Sequence, residues 1–238
     1  MKKAIVLFSG GLDSTTCLAW AIKKGYKCLA VSFFYGQRHN RENLAARKIA
    51  KILKTPLYEV NLSLPWLNTS SLVDKKKKLP EEKIEKIISG KIPSTYVPGR
   101  NLIFASIGVS FADAIGARAV ILGPNAVDYS GYPDCRPSFY RALNKAVNLG
   151  TKNPSLGRNI EILTPIINLS KSEIIKLAIK VRAPLEHTWS CYRGGSRPCG
   201  VCDSCKLRAK GFLEAGINDP AIDKSKIKQE GEKEYREI

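Results

Sequence analysis

The sequence contains no hydrophobic run long enough to cross a membrane. Its first apolar stretch, residues 4–8, has only five residues. A membrane-spanning helix needs about 20 apolar residues, and the core of a secretory signal peptide needs about 7–15. We therefore expect a cytoplasmic protein that does not contact a membrane.

Acidic residues are few relative to basic ones. The chain has 21 Asp and Glu against 39 Lys and Arg, which gives a net charge of +18. This charge favours a polyanionic partner such as nucleic acid, or anionic substrates such as ATP. A lysine-rich surface that only maintains solubility is the plain alternative. Because no nucleic-acid recognition module accompanies the charge, we expect no direct binding of nucleic acid.

Two common nucleotide-binding motifs are missing. There is no Gly-x-x-x-x-Gly-Lys-Ser/Thr string, which disfavours a kinase-like P-loop ATPase, and no Gly-x-Gly-x-x-Gly string to support a dinucleotide fold. A disulfide framework is also not indicated, because the cysteines number seven, an odd count, and nothing suggests secretion.

Apolar runs that read as buried strands alternate with segments of helical spacing. This alternation predicts an α/β fold, a Rossmann-like parallel sheet of the adenine nucleotide α-hydrolase type, with helices on both faces. The predicted strands are residues 4–8, 28–34, 56–62, 119–122 and 160–163. The predicted helices are residues 14–24, 40–54, 101–116, 135–149, 170–180 and 205–215.

We predict two parts in the chain. Residues 1–183 form the ATP-binding α/β domain, and residues 184–238 form a C-terminal metal-binding segment with a charged helical tail. Residues 65–98 interrupt the alternation and are too long for an ordinary connection. We interpret them as an insertion near the site, with a short helical stretch at 81–88.

The string Ser9-Gly10-Gly11-Leu12-Asp13-Ser14 lies between the first strand and the first helix. Ligands of open parallel sheets bind at the carboxyl ends of the strands. Two glycines let the backbone approach an anion, and the helix N-terminus offers unpaired N–H groups. Asp13 is unusual in an anion site, and either a Mg²⁺ ion or a helix cap would explain it. A purely structural Gly-Gly turn is the alternative.

The full string resembles the PP-loop of the ATP-pyrophosphatase superfamily. The resemblance implies that the loop holds the pyrophosphate of ATP, with Mg²⁺, while AMP is transferred to a substrate oxygen. The implied ATP-binding residues are Phe8, Ser9, Gly10, Gly11, Leu12, Asp13, Ser14, Thr15, Thr16, Cys17 and Leu18.

Four cysteines cluster late in the chain, at Cys191, Cys199, Cys202 and Cys205. Four thiolates at this spacing suit a closed, tetrahedral zinc site. An iron–sulfur cluster is the main competitor, because the last three cysteines also match part of a ferredoxin motif. Four reduced, metal-free thiols are a further alternative. We predict structural zinc.

Three more strings carry polar groups to the carboxyl edge of the sheet. They are residues 96–101 (Tyr-Val-Pro-Gly-Arg-Asn), 128–137 (Asp-Tyr-Ser-Gly-Tyr-Pro-Asp-Cys-Arg-Pro) and 188–191 (Thr-Trp-Ser-Cys). Each alone is compatible with plain turn chemistry. Together with the phosphate loop and the four cysteines, they resemble the 7-cyano-7-deazaguanine synthase family over residues 4–215.

This resemblance implies an ATP-dependent C–N ligase that converts 7-carboxy-7-deazaguanine and ammonia to 7-cyano-7-deazaguanine, a precursor of queuosine or archaeosine. It implies adenylation of the carboxylate and then of the amide, structural zinc on the four cysteines, and a homodimer. From residue type and place, we predict that Asp134 accepts hydrogen bonds from the N–H edge of the guanine-like base. We also predict that Arg100 or Arg136 binds the substrate carboxylate through two hydrogen bonds. Tyr35 is a candidate for packing on adenine, with a core or surface tyrosine as the alternative, and His39 is interpreted as a solvated loop residue rather than a general base.

Two other functions stay open at this point. A tRNA thiolation enzyme would also use a PP-loop, cysteines and a basic surface, but it needs a reactive cysteine, a sulfur donor or an iron–sulfur cluster. A zinc-dependent RNA-binding module would use the charge and the cysteines, but it leaves the phosphate loop unexplained.

Overall fold

The computed structural model describes residues 2–87, 91–127 and 131–222. These residues form an α/β fold with one five-stranded sheet. The strands are β1 (Lys3–Leu7), β2 (Lys27–Phe34), β3 (Leu57–Asn61), β4 (Ala119–Ile121) and β5 (Glu161–Leu163). The α-helices are α1 (Leu12–Lys23), α2 (Arg41–Ile52), α3 (Ile84–Ile87), α4 (Arg100–Ile115), α5 (Pro137–Gly150), α6 (Lys152–Ser155), α7 (Lys171–Lys180) and α8 (Asp203–Ala215).

The strand order is β3-β2-β1-β4-β5, and every pairing is parallel. The predicted α/β class with a parallel sheet is therefore confirmed. The chain builds outward from β1 on one side and then crosses to β4 on the other. Ligands of such sheets bind where the order reverses, which here is the edge beyond β1 and β4.

Strand β1 is apolar from Ala4 to Leu7 because both of its faces are covered there. Ala4 and Val6 belong to a core that includes side chains of α1, α2, α7 and α8, whereas Ile5 and Leu7 belong to a second core that includes side chains of α4 and α5. A strand buried on both faces reads as a continuous hydrophobic run, which is why residues 4–8 were identifiable from the sequence.

Element boundaries differ from the predicted ones at several places. Helix α1 begins at Leu12 rather than residue 14, and α5 begins at Pro137 rather than residue 135. Proline fits at the first turn of a helix, where its missing N–H has no partner to lose. In the insertion, α3 covers Ile84–Ile87, while residue 88 of the predicted helical stretch and the tail from residue 224 lie outside the described residues.

The division at residue 183 stays a prediction. Across it, α7 packs closely on α8: a Cβ atom added at Gly211 would lie 2.3 Å from Cγ of Lys171. Within the described ranges, no helix is both long and apolar enough to cross a membrane.

Candidate active site and metal centre

The turn after β1 is held in a conformation that glycine favours. Gly10 has φ +81°, and a Cβ atom at this position would lie 2.4 Å from the backbone N of Ala46 and 2.6 Å from the backbone O of Glu42. Both atoms belong to α2, so any side chain at Gly10 would push that helix away. The phosphate loop is therefore built against the first turns of α2.

The two serines of this loop hold it in shape. Ser9 Oγ and Ser14 Oγ lie 3.1 Å apart, Ser14 Oγ donates to the Gly11 carbonyl over 3.2 Å, and the Gly11 N–H donates to Ser9 Oγ over 3.3 Å. The N-cap residue of α1 is Gly11, which has no side chain to cap the helix. The first N–H groups of α1 consequently face the cavity as an anion site.

Asp13 forms an ion pair that the sequence did not predict. Lys171 Nζ donates to both carboxylate oxygens of Asp13, each over 2.9 Å. Lys171 is 8% exposed and opens α7 after the capping box of Ser170 and Glu173. A buried cation at a helix N-terminus is opposed by the helix dipole and needs an anion. That mismatch is the sequence signal that could have identified Lys171.

The loop after β4 meets the phosphate loop at the point where the strand order reverses. A Cβ atom at Gly123 would lie 3.3 Å from both the backbone C of Asp13 and Sγ of Cys17. Cys17 donates its S–H to the Leu122 carbonyl over 3.6 Å. Glycine at position 123 thus allows the two loops to touch.

A cavity of about 290 Å³ opens at this edge of the sheet. Its walls include Ser9, Gly11, Leu12, Asp13 and Ser14 of the phosphate loop, and Lys171. Arg100, the first residue of α4, also lines it and donates from Nη1 to the Tyr35 hydroxyl over 3.5 Å. The structure therefore brings one predicted substrate residue together with the phosphate loop.

The other two predicted substrate residues do not line this cavity. Asp134 is buried, and its Oδ2 accepts the backbone N–H of Asn101 over 3.2 Å, so it satisfies a free donor in the first turn of α4. Arg136 is exposed and precedes α5. Burial raises the pKa of Asp134. Their substrate roles stay predictions, and residues 128–130 of the same string lie outside the described residues.

Tyr140 is a cavity residue that the sequence reading missed. Its ring is 4% exposed and lines the cavity, and its hydroxyl has no hydrogen-bond partner among the described residues. Buried hydroxyls are ordinarily paired. A side chain that lines the cavity and carries an unpaired hydroxyl is therefore a candidate ligand contact, and no residue pattern in the sequence marks it.

Residues at the end of β2 fix the wall that faces α4. Phe33 stacks on Phe104 with ring centroids 4.0 Å apart, and Tyr35 contacts Phe104 edge-on at 5.4 Å. The Tyr35 N–H donates to Gln37 Oε1 over 2.9 Å, and Gln37 Nε2 donates to Asn43 Oδ1 over 3.0 Å. Tyr35 therefore lines the cavity, and Gln37 sets its backbone position; its packing on adenine stays a prediction.

The four cysteines lie together, as the spacing predicts. Their sulfur atoms all fall within 4.8 Å of one another. A tetrahedron with Zn–S bonds of about 2.3 Å places sulfurs about 3.8 Å apart. The closeness of these thiols lowers the pKa of Cys191 and raises the pKa values of Cys202 and Cys205. Four thiolates at this distance need a cation, so the donor set fits a structural metal.

The metal-binding segment contacts the phosphate loop directly. The backbone N–H of Trp189 donates to the Gly10 carbonyl over 3.1 Å, and Trp189 Nε1 donates to the Cys191 carbonyl over 2.9 Å. Arg208 of α8 donates to Thr188 Oγ1 over 2.9 Å and to Asp219 Oδ1 over 2.8 Å. Trp189 thus links the cysteine cluster by hydrogen bonds to the loop that would bind phosphate.

The insertion at 65–98 joins both parts of the site. Arg38 donates to the carbonyls of Ser71 and Asp74, over 2.6 and 2.7 Å. On the other side, Lys206 Nζ donates to the Glu82 carbonyl over 2.9 Å, and Arg193 forms an ion pair with Glu81. His39 is half-buried, with its ring against Gly194 of the metal segment, and burial lowers its pKa.

The cysteines outside the cluster are poor nucleophiles. Cys17, Cys28 and Cys135 are buried, and burial raises the pKa of each, to about 12 for Cys28 and Cys135. A reactive cysteine needs a lowered pKa and access to solvent. Among the described residues, these three cysteines do not provide the nucleophile that sulfur transfer requires.

Comparison with known proteins shows which family the chain is similar to. A family model described as queuosine biosynthesis protein QueC matches residues 3–216. The 7-cyano-7-deazaguanine synthase of Acetivibrio thermocellus is 51% identical over 219 residues, which cover 92% of this chain and 96% of the relative. The enzyme of the same name from Desulfitobacterium hafniense is 50% identical over 220 residues, 92% of each chain.

Solved structures overlap more loosely. The U34-tRNA thiolase NcsA from Methanococcus maripaludis overlaps at 14% identity with a TM-score of 0.44, over 90% of this chain and 67% of that chain. An overlap of this size carries no argument about chemistry. The family match spans nearly the whole chain and confirms the resemblance read from the motifs, so the protein belongs to the family of queuosine biosynthesis protein QueC, which is the 7-cyano-7-deazaguanine synthase family.

Proposed function

We propose that this protein converts 7-carboxy-7-deazaguanine, ammonia and ATP to 7-cyano-7-deazaguanine. The observation that carries the proposal is the cavity lined by the phosphate loop, Arg100 and Tyr140, whose hydroxyl has no hydrogen-bond partner among the described residues. The 51% identity to a protein named 7-cyano-7-deazaguanine synthase supports the choice of substrate. The buried, high-pKa cysteines outside the cluster disfavour sulfur transfer as the alternative.

Each wall of the cavity has a proposed role. The N–H groups at the start of α1, with Ser9 and Ser14, bind the pyrophosphate that leaves when the substrate carboxylate attacks the α-phosphorus. Arg100 holds that carboxylate through its fork of donors. The hydroxyl of Tyr140 forms a hydrogen bond with a polar edge of the deazaguanine ring. Ammonia then displaces AMP to give the amide. The amide oxygen attacks the α-phosphorus of a second ATP and releases pyrophosphate, and loss of AMP and of the two N–H protons to water leaves the nitrile.

Magnesium, when bound, would neutralise part of the negative charge of the phosphates. Asp13 is the candidate for holding it, because each of its oxygens accepts only one bond from Lys171 and keeps a lone pair. Lys171 then fixes the direction of the carboxylate. The full ATP-binding set of residues 8–18 and the substrate roles of Asp134 and Arg136 are part of this proposal.

We further propose that Cys191, Cys199, Cys202 and Cys205 bind structural zinc. A closed shell of four sulfurs leaves no open position for water, so the metal supports the fold and not the reaction. Elemental analysis is expected to give one zinc per chain in a colourless protein. If the analysis finds iron and the protein absorbs visible light, the zinc assignment is wrong and the cysteines bind an iron–sulfur cluster.

The assembly is proposed to be a homodimer that binds no nucleic acid directly. Light scattering for molar mass, and a binding titration with tRNA at physiological salt, test these two points separately.

The reaction is tested by mass spectrometry. The protein is incubated with ATP, Mg²⁺, ammonia and 7-carboxy-7-deazaguanine, and the expected products are the nitrile, AMP and pyrophosphate. Stoichiometric ADP and phosphate would contradict the proposed attack on the α-phosphorus. A parallel incubation with tRNA and a sulfur donor, expected to give no thiolated base, tests the alternative.

A further inference from the structure

Glu42 lies at the junction between the phosphate loop and the proposed carboxylate site. It is in the first turn of α2, and its backbone O lies 2.6 Å from where a Gly10 Cβ would be. Its side chain lines the cavity together with Arg100. The α-phosphorus and the substrate carboxyl must meet between the phosphate loop and Arg100, so Glu42 borders the reacting atoms.

The carboxylate of Glu42 is free to act. Among the described residues it accepts no side-chain hydrogen bond and forms no ion pair, whereas Asp13, the other acid that lines the cavity, is tied to Lys171. Burial raises the pKa of Glu42 to about 7, although Arg100 opposes the rise. Other titratable and charged groups that line the same cavity are Asp13, Tyr35, Arg38, His39, Arg100, Tyr132, Cys135, Tyr140, Lys171, Tyr192 and Arg208.

The proposed reaction needs a base at this place. Ammonia is mostly ammonium at neutral pH, and ammonium has no lone pair with which to attack carbon. A general base works best when its pKa is near the operating pH. A carboxyl of ordinary pKa would be too weak a base for this proton.

We propose that Glu42 is the general base that deprotonates ammonium for attack on the adenylated carboxyl group. This inference rests on the proposed function. Glu42 takes one proton from ammonium, and the resulting ammonia forms a C–N bond to the acyl carbon. The C–O bond to AMP breaks, and AMP leaves with the electron pair. The remaining excess proton on nitrogen passes to water, and Glu42 returns its own proton to the cavity water.

The first test separates adenylation from amide formation in Glu42→Gln. Exchange of labelled pyrophosphate into ATP, with 7-carboxy-7-deazaguanine and without ammonia, is expected to stay within about threefold of wild type. The kcat/KM for ammonia is expected to fall by about 100-fold or more, which is the typical contribution of a general base. Glu59→Gln, which removes an exposed partner of Arg47, is the matched control and should change neither value.

The second test uses a nucleophile that does not need the base. Hydroxylamine is largely unprotonated at neutral pH, so Glu42→Gln is expected to form the hydroxamate at close to the wild-type rate. With ammonia, the wild-type rate per total ammonia should rise up to the Glu42 pKa of about 7 and then level off, because Glu42 is ionised while ammonium still dominates. The variant should lack this plateau and rise with free ammonia.

Several results would overturn the proposal. Equal losses of pyrophosphate exchange and ammonia use would place Glu42 at the nucleotide or its metal ion, and an unchanged kcat/KM for ammonia would remove it from the reaction. If Glu42→Gln does not fold, Glu42→Asp keeps a carboxylate and should keep the plateau at a reduced rate; loss of the plateau in that variant contradicts the base role. A wild-type protein without pyrophosphate exchange refutes the proposed function instead.

Discussion

The phosphate loop and the four-cysteine segment are both turns with positive-φ glycines, but their surroundings differ. The phosphate loop follows a strand whose residues 4–6 are fully buried, and it packs on α1 and α2. Residues 190–204 contain only Tyr192 and Val201 as sizeable apolar side chains besides the cysteines. The first turn is stabilised by the core beneath it, whereas the second has little apolar burial, and the proposed metal ligation would supply its local folding energy.

The two turns are nevertheless joined, by the hydrogen bond from the Trp189 N–H to the Gly10 carbonyl. This contact makes the metal segment part of the wall that holds the phosphate loop. Loss of metal should therefore affect nucleotide binding without unfolding the sheet.

Removing the metal should have the largest effect. Structural zinc contributes on the order of 10 kcal/mol to small peptides, so Cys202→Ser should lose the metal and lower the melting temperature or aggregate. The α/β core should keep its circular dichroism, while affinity for ATP falls. Cys17→Ser is the control, because Cys17 lies in the core away from the cluster, and it should retain one metal per chain. A Cys202→Ser variant with wild-type stability would show that the four-cysteine segment, like the phosphate loop, does not depend on a metal for its folding.

Gly10→Ala should be the next most damaging change. Its φ of +81° and the α2 backbone 2.4 Å from the added Cβ are both unfavourable. Gly25→Ala is a matched control, since Gly25 has φ +83° and nothing within 4 Å of the added Cβ. Gly25→Ala should lose only the conformational term, about 1–2 kcal/mol, and keep activity. Equal losses in chemical denaturation for both variants would show that the contact with α2 is unimportant.

Lys171→Met should reduce the rate of AMP formation by about 100-fold, through loss of charge beside the phosphates, and it leaves Asp13 without its cation. Asp13→Asn in the same background should recover part of the stability lost, because it removes the unpaired charge. A double-mutant cycle in urea measures the coupling between the two residues. Additive free energies would mean that the pair does not act as a unit.

Tyr140→Phe should give the smallest change. Removing an unpaired buried hydroxyl should leave the free energy of unfolding unchanged or slightly increased. The KM for 7-carboxy-7-deazaguanine should rise by about tenfold, which corresponds to one hydrogen bond of about 1.4 kcal/mol. The KM for ATP should stay constant. A clear drop in melting temperature would show that the hydroxyl has a partner in the protein.

Much of the fold was predictable because its signals are local. Residues 4–8 and 28–34 read as buried strands, and the capping box of Ser170 and Glu173 marked the start of α7. The phosphate loop and the cysteines were visible as contiguous strings. Glu42, Tyr140 and Lys171 were missed because they lie on three separate helices and meet only around the cavity.

The sequence by itself determined the parallel α/β class, the phosphate loop, the cysteine cluster and the family, since each depends on periodicity or on residues close along the chain. Only the tertiary structure decided which charged groups are paired. Asp13 pairs with Lys171, and Asp134 accepts a backbone N–H at the N-terminus of α4. Among the described residues, the Glu42 carboxylate and the Tyr140 hydroxyl have no such partner, and both residues line the cavity. Burial and pairing depend on which elements pack together across the sheet, and no local pattern encodes that arrangement.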